Sequence, residues 1–247
     1  MDALQLVVLA NIVVGATTGL GGIPVLFVKS LSQRILDALL GFAAGVMLAS
    51  HSIQPPTIYG LRRSDASDYH FCYRRRSDIY LLDKYVPHEN IFKGHEGSAS
   101  HLSVTSLMIL AITIHNFPEG MAVGVSFSGG DLTAAITLAV AIALQNIPEG
   151  TAVTLPLVRA GFRRGKAAWY ALLTGLLEPV GAIVGVSVIA ISFGFLPLAL
   201  AFAGGAMAFV VSHEMIPESH RFGHEKEATF GFVCGFALMM LLDNAFG

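Results

Sequence analysis

The sequence predicts an all-α integral membrane protein, and its charge content, hydropathy and long apolar runs are what predict it. Only 13% of the 247 residues are charged and 54% are hydrophobic, whereas a soluble domain carries about a quarter charged residues. Mean hydropathy is +0.66. Apolar runs recur that are long enough to cross a bilayer, which takes roughly 20 residues for about 30 Å of hydrocarbon. The implied surroundings are a lipid bilayer. A formal net charge of −2 gives no electrostatic reason to expect nucleic acid as a partner.

The first run extends from Leu4 to Val28. The N-terminus carries Asp2 and lacks a basic leader, so this run reads as a permanent span rather than a cleaved signal. A shorter run follows from Ile35 to about Ile53. The others are Leu102 to Phe127, Leu132 to Val158, Ala167 to Phe193, Leu196 to Val211 and Ala228 to Phe246, which makes seven recognisable spans. All are rich in Gly and Ala, which let membrane helices approach closely. Gly41 with Gly45, and Gly231 with Gly235, have the small-xxx-small spacing and read as packing positions. Cys72 and Cys234 lie far apart in different kinds of segment, so they predict neither a disulfide framework nor a thiolate metal site.

Basic residues set the orientation, because Lys and Arg stay on the cytoplasmic side. Lys29 and Arg34 follow the first span, Arg159, Arg163, Arg164 and Lys166 follow Val158, and Arg221 and Lys226 separate the last two spans. The connections at Ser128 to Asp131 and Gly194 to Phe195 carry no Lys or Arg. Both termini are therefore expected outside. The stretch from Gly60 to Asp78 breaks this pattern, with five arginines and three aspartates where a crossing is needed. At about 2.5–3.5 kcal/mol per central Arg, it makes no ordinary span.

The chemistry centres on two similar hexapeptides within apolar runs. They are His115-Asn116-Phe117-Pro118-Glu119-Gly120 and Gln145-Asn146-Ile147-Pro148-Glu149-Gly150, with corresponding positions 30 residues apart. That spacing predicts antiparallel neighbouring helices joined by a short outer loop. On a helix, Glu119 lies one turn from His115 and falls angularly between His115 and Asn116; Glu149 stands likewise to Gln145 and Asn146. One carboxylate could thus bridge two cations. Each Pro frees the carbonyl four residues earlier, at Ile114 and Leu144, so broken helices of the kind that build ion sites in transporters are expected. Glu178, followed by Pro179, is a third carboxylate in an apolar run, and those runs contain no Lys or Arg to pair with it. Ionisable groups at membrane depth mark ion pathways. Imidazole with carboxylate and amide oxygens suits Zn2+, and also Fe2+, Mn2+ or Cd2+. His213 and Glu214 read as a secondary metal station at the cytoplasmic end of their span, with His220 and His224 nearby. They are not a zinc-protease motif, because Pro217 stands where the second His would be required. His88, His95 and His101 are expected in a loop.

These hexapeptides resemble the signature of the ZIP family of divalent metal transporters. The resemblance extends to Gly-Leu-Gly-Gly-Ile-Pro at 19–24 and Gly-Phe-Ala-Ala-Gly-Val-Met-Leu-Ala at 41–49, and resumes from Tyr80 to the C-terminus. It implies a single transmembrane domain over 1–247, eight spans with both ends outside, and a secondary transporter of the cell membrane rather than an enzyme, with a homodimer as the candidate assembly. It implies a binuclear centre: one metal on His115, Glu119, Gln145 and Glu149, a second on Asn116, Asn146 and Glu178 with Glu119 and Glu149 shared. Some relatives carry Asp at the Asn146 position, and Asn removes a charge there. Uptake towards the cytoplasm by an elevator-like movement is the implied mechanism. The third family span is altered here, within the atypical segment 51–101. A pair of compensating frameshifts would account for it, and an uninterrupted reading frame on resequencing would reject that origin. A chain altered there is alternatively a metal-binding sensor that does not transport, or a transport-defective ZIP variant.

Overall fold

A computed structural model describes residues 3–28, 31–52, 88–90, 94–96 and 104–246. The Arg-rich stretch at 60–78, Cys72 and His101 lie outside the described residues. The chain forms α1 (Ala3–Gly21), α2 (Ile23–Phe27), α3 (Gln33–Ser52), β1 (His88–Asn90), β2 (Gly94–Glu96), α4 (Val104–Ser128) and α5 (Leu132–Arg159). It continues with α6 (Arg164–Gly175), α7 (Leu177–Ile191), α8 (Leu196–Val210), a π-helical turn over Val211–Met215, α9 (Ile216–His220) and α10 (Glu225–Phe246).

Among the described residues, six helical stretches are long and apolar enough to cross a membrane: Leu4–Phe27, Gln33–Ser50, Leu132–Arg159, Arg164–Ile191, Phe193–His220 and Glu225–Phe246. Helix α4, 25 residues long, spans roughly 37 Å at 1.5 Å per residue and lies among them. The fold is an all-α membrane helix bundle. One small departure is that His88 and His95 lie in an antiparallel hairpin rather than a loop, His88 opposite Glu96 and Glu89 opposite His95.

Helix α3 packs most extensively on α10, α4 on α7, and α1 on α5. Glycine makes the first pairing close. A Cβ on Gly41 would strike the Ala228 carbonyl oxygen and one on Gly45 that of Phe232, while Gly231 and Gly235 abut the carbonyls of Ala38 and Phe42. The two small-xxx-small pairs read from the sequence thus face each other across one interface. The turn between α4 and α5 is tight because Gly130 takes φ +90°, a conformation open to glycine. The Asp131 side chain then caps α5 by accepting from the Ala134 N–H at 3.0 Å.

The prolines correct one expectation. Helices α4 and α5 run unbroken through Pro118 and Pro148. The break comes instead at Leu176, between α6 and α7, just before Glu178-Pro179. Pro179 cannot donate to the Gly175 carbonyl, and a new helix starts with Glu178 in its first turn. The span made by α8 and α9 is interrupted in the same way: its π turn immediately precedes Ile216-Pro217.

Candidate metal centre

The glycine that ends each hexapeptide positions the centre. A Cβ on Gly120 would collide with the Glu178 carbonyl oxygen, so α7 lies backbone to backbone with α4 at the level of Glu119. Gly150 meets the Thr18 carbonyl in the same way, which brings α1 against α5 beside Glu149. Packing of this kind sets Asn116, Glu119, Gln145, Asn146 and Glu178 fully out of contact with solvent, and leaves Glu149 and His115 only 5% and 7% exposed.

Contacts inside the centre run between helices. Gln145 Nε2 donates to Glu119 Oε1 at 2.5 Å, joining α5 to α4. Asn146 Nδ2 donates to Glu178 Oε1 at 2.6 Å and to the Val14 carbonyl at 3.2 Å, joining α5 to α7 and α1. Glu119 lies within electrostatic reach of both Glu149 and Glu178. His115 Nε2 stands 2.8 Å from Glu214 Oε2, which arrives from the π turn after α8, so the pair is at ion-pair distance.

Many polar atoms here have no hydrogen-bond partner among the described residues. They are both amide atoms of Asn116, one carboxylate oxygen each of Glu119, Glu149 and Glu178, and the side-chain carbonyl oxygens of Gln145 and Asn146. Buried polar groups are ordinarily paired, and an orphan costs about 1–3 kcal/mol. A set of orphans that is mostly oxygen, with carboxylates among them, matches the hard and borderline donors of a divalent cation. Among the described residues no group of three His, Cys, Asp or Glu side chains gathers at metal-holding distance. Amide oxygens would therefore have to complete any ligand set.

Known proteins share this arrangement of sequence. The ZIP zinc transporter family model matches residues 81–243. The chain belongs to the ZIP family. It is 41% identical to the zinc transporter GufA of Myxococcus xanthus, over 96% of this chain and 98% of that protein. It is 44% identical to the zinc transporter ZIPB of Bordetella bronchiseptica, over 94% of this chain and 78% of that one. It is 32% identical to the zinc transporter ZupT of Clostridium perfringens, over 97% and 95% of the respective chains.

Measured against the sequence reading of this ZIP chain, the structure brings His115, Asn116, Glu119, Gln145, Asn146, Glu149 and Glu178 together in one buried region. It separates the two members of the secondary station. Glu214 turns to His115, while the His213 ring stacks on Phe209 at 4.9 Å between centroids. His220 bonds locally, its Nδ1 within 2.9 Å of the Ile216 carbonyl. His224 Nδ1 lies 2.8 Å from Asp37 Oδ2. Asp37 is fully buried and also accepts from Gln33 Nε2 at 2.7 Å, while Gln33 Oε1 accepts from Arg159 at 2.7 Å. Asp37 and the buried Asn11 were missed by the sequence reading. The available signal was a polar residue inside an apolar run, the criterion that found Glu178.

Proposed function

We propose that this ZIP protein moves a divalent metal cation, zinc foremost, through the buried centre towards the cytoplasm, acting as a secondary transporter. The observation that carries the reading is the set of buried carboxylate oxygens on Glu119, Glu149 and Glu178 that lack any donor among the described residues. A cation of double charge supplies what they lack. His115, Glu119, Gln145 and Glu149 would ligate it, and the relatives named as zinc transporters favour zinc over Fe2+, Mn2+ and Cd2+ as cargo.

The layout supports this direction. Leu138 and Ile142, on α5 between its first turn and Gln145, are buried with Val123, Val125 and Leu196, so apolar side chains lie on that side of the centre. Glu214, on the basic side, keeps 26% of its side chain exposed. The basic connections then belong inside and both termini outside, in the cell membrane. Helix α3 packs on α10, and α1 on α4, α5, α6 and α7, with the two groups meeting where α3 packs on α5; an elevator-like movement would slide the second group past the first at that contact. Purified protein in liposomes tests the reading. Zinc should accumulate inside vesicles carrying the wild-type chain and stay at background with Glu119→Ala; equal uptake by both would refute it.

A second reading, a metal sensor that does not transport, is favoured by the Arg-rich stretch at 60–78. Zinc binding without vesicle accumulation would select it.

A further inference from the structure

Resting on the transport reading and the orientation given above, we propose that Arg159 fastens α5 to α3 through Gln33. Asp37 and His224 are positioning residues that hold Gln33 ready for it, and the Arg159–Gln33 bond opens each time an ion is carried.

The bonds form a chain of fixed polarity. An Arg side chain holds donors and no acceptor, so Arg159 Nη1 donates to Gln33 Oε1 at 2.7 Å, and the amide must turn its nitrogen the other way. Gln33 Nε2 donates to Asp37 Oδ1 at 2.7 Å, and His224 Nδ1 stands 2.8 Å from Asp37 Oδ2. Facing a carboxylate, that ring nitrogen carries the proton. Both oxygens of the fully buried Asp37 thus have partners, whereas Glu119, Glu149 and Glu178 each keep an orphan. Burying a carboxylate is costly unless donors satisfy it. Here the arrangement secures the direction in which Gln33 faces.

The two sides of α3 differ in kind. Towards α10 the hold is firm: Asp37 meets His224, Arg34 Nε lies 3.8 Å from Glu227 Oε1, and Gly41 and Gly45 abut the α10 backbone. Towards α5 the surface is apolar and smooth. Leu36 and Leu40 cluster with Leu155, and Val46 and Ala49 with Ala141. Across it the exposed Arg159 makes its bond to Gln33 and a longer one, 3.5 Å, to the Leu31 carbonyl. A hydrogen bond is lost within about 1 Å of stretch, so a slide of α5 along α3 opens it. Arg159 and Glu149 stand on the same unbroken helix, so whatever carries that carboxylate across the membrane carries Arg159 too.

Apolar side chains close the centre on the side away from the basic connections, so the fastened state is the one that faces the cytoplasm. Loosening the bond should raise the outward-facing fraction, and the apparent KM for external zinc should fall in proportion.

The test is zinc uptake by cells that express the full-length chain and lack zinc uptake of their own, with KM and maximal rate measured separately. Arg159→Leu and Gln33→Leu are each expected to lower KM about 2–5-fold, the range for one exposed hydrogen bond to a charged group. The double variant should match Gln33→Leu, and Arg159→Lys, which keeps a donor, should hold the wild-type KM. A merely structural role would lower the maximal rate through the amount of folded protein and leave KM unmoved. An unchanged KM in Arg159→Leu, or effects that add in the double variant, would overturn the proposal. Arg159 is exposed, so its substitution removes no core packing and decides the matter even if Gln33→Leu fails to fold. Wild-type cells that take up no zinc would instead overturn the transport reading, a result distinguishable from the others.

Discussion

The two hexapeptides share Asn, Pro, Glu and Gly at matching positions, yet they meet different neighbours. The first, on α4, lies against α7 through Gly120 and extends His115 to Glu214. The second, on α5, lies against α1 through Gly150 and extends Gln145 back to Glu119. The shared residues therefore fix how closely the helices approach and where each carboxylate sits. The variable first residue decides which partner is reached: a charge-capable ring facing a fourth helix, or a neutral amide facing its own twin.

Removing what the repeats share should have the largest effect. Glu119→Ala or Glu149→Ala is expected to lower zinc affinity by at least about 100-fold, beyond the 10–100-fold typical of groups that only support a ligand. Titration calorimetry measures this, with membrane insertion as the control for folding. Removing what differs should matter less. His115→Gln makes the first hexapeptide begin like the second, and the loss of the imidazole should weaken zinc by roughly 10–100-fold. Glu214→Gln, which leaves the ring but neutralises its partner, should weaken it by about 10-fold.

The contact glycines test the other half of the comparison. Gly120→Leu drives a side chain into the Glu178 backbone and Gly150→Leu into that of Thr18, each expected to destabilise the bundle by about 1–3 kcal/mol or more. Thermal unfolding in detergent reads this, and an unshifted melting curve would show that the helices are not in backbone contact there. The smallest effect is on pH dependence. Imidazole and carboxylate ligands bind metal deprotonated, so affinity should fall as pH drops below neutral. The fall should be shallower in His115→Gln, where one competing proton site is gone.

Much of this was legible in the sequence because membrane burial demands long apolar runs, and the described residues of each of the seven runs are largely helical. The buried polar cluster was legible because Glu119, Glu149 and Glu178 stand in those runs without a basic partner. What was not legible depends on contacts far apart in the chain. Nothing local says that Glu214 reaches His115, or that His224 is taken up by Asp37. Proline alone did not say where a helix breaks: α4 and α5 continue through Pro118 and Pro148, while the span of α6 and α7 breaks before Pro179, after Gly175. The terminal glycine of each hexapeptide showed its purpose only once Glu178 and Thr18 were seen against it.

The most direct measurement is an anomalous difference map from crystals of the full chain soaked in a cadmium salt. The account requires a peak between α4 and α5, within bonding distance of both Glu119 and Glu149. Density confined to the extramembrane histidines, with nothing between those carboxylates, would contradict it.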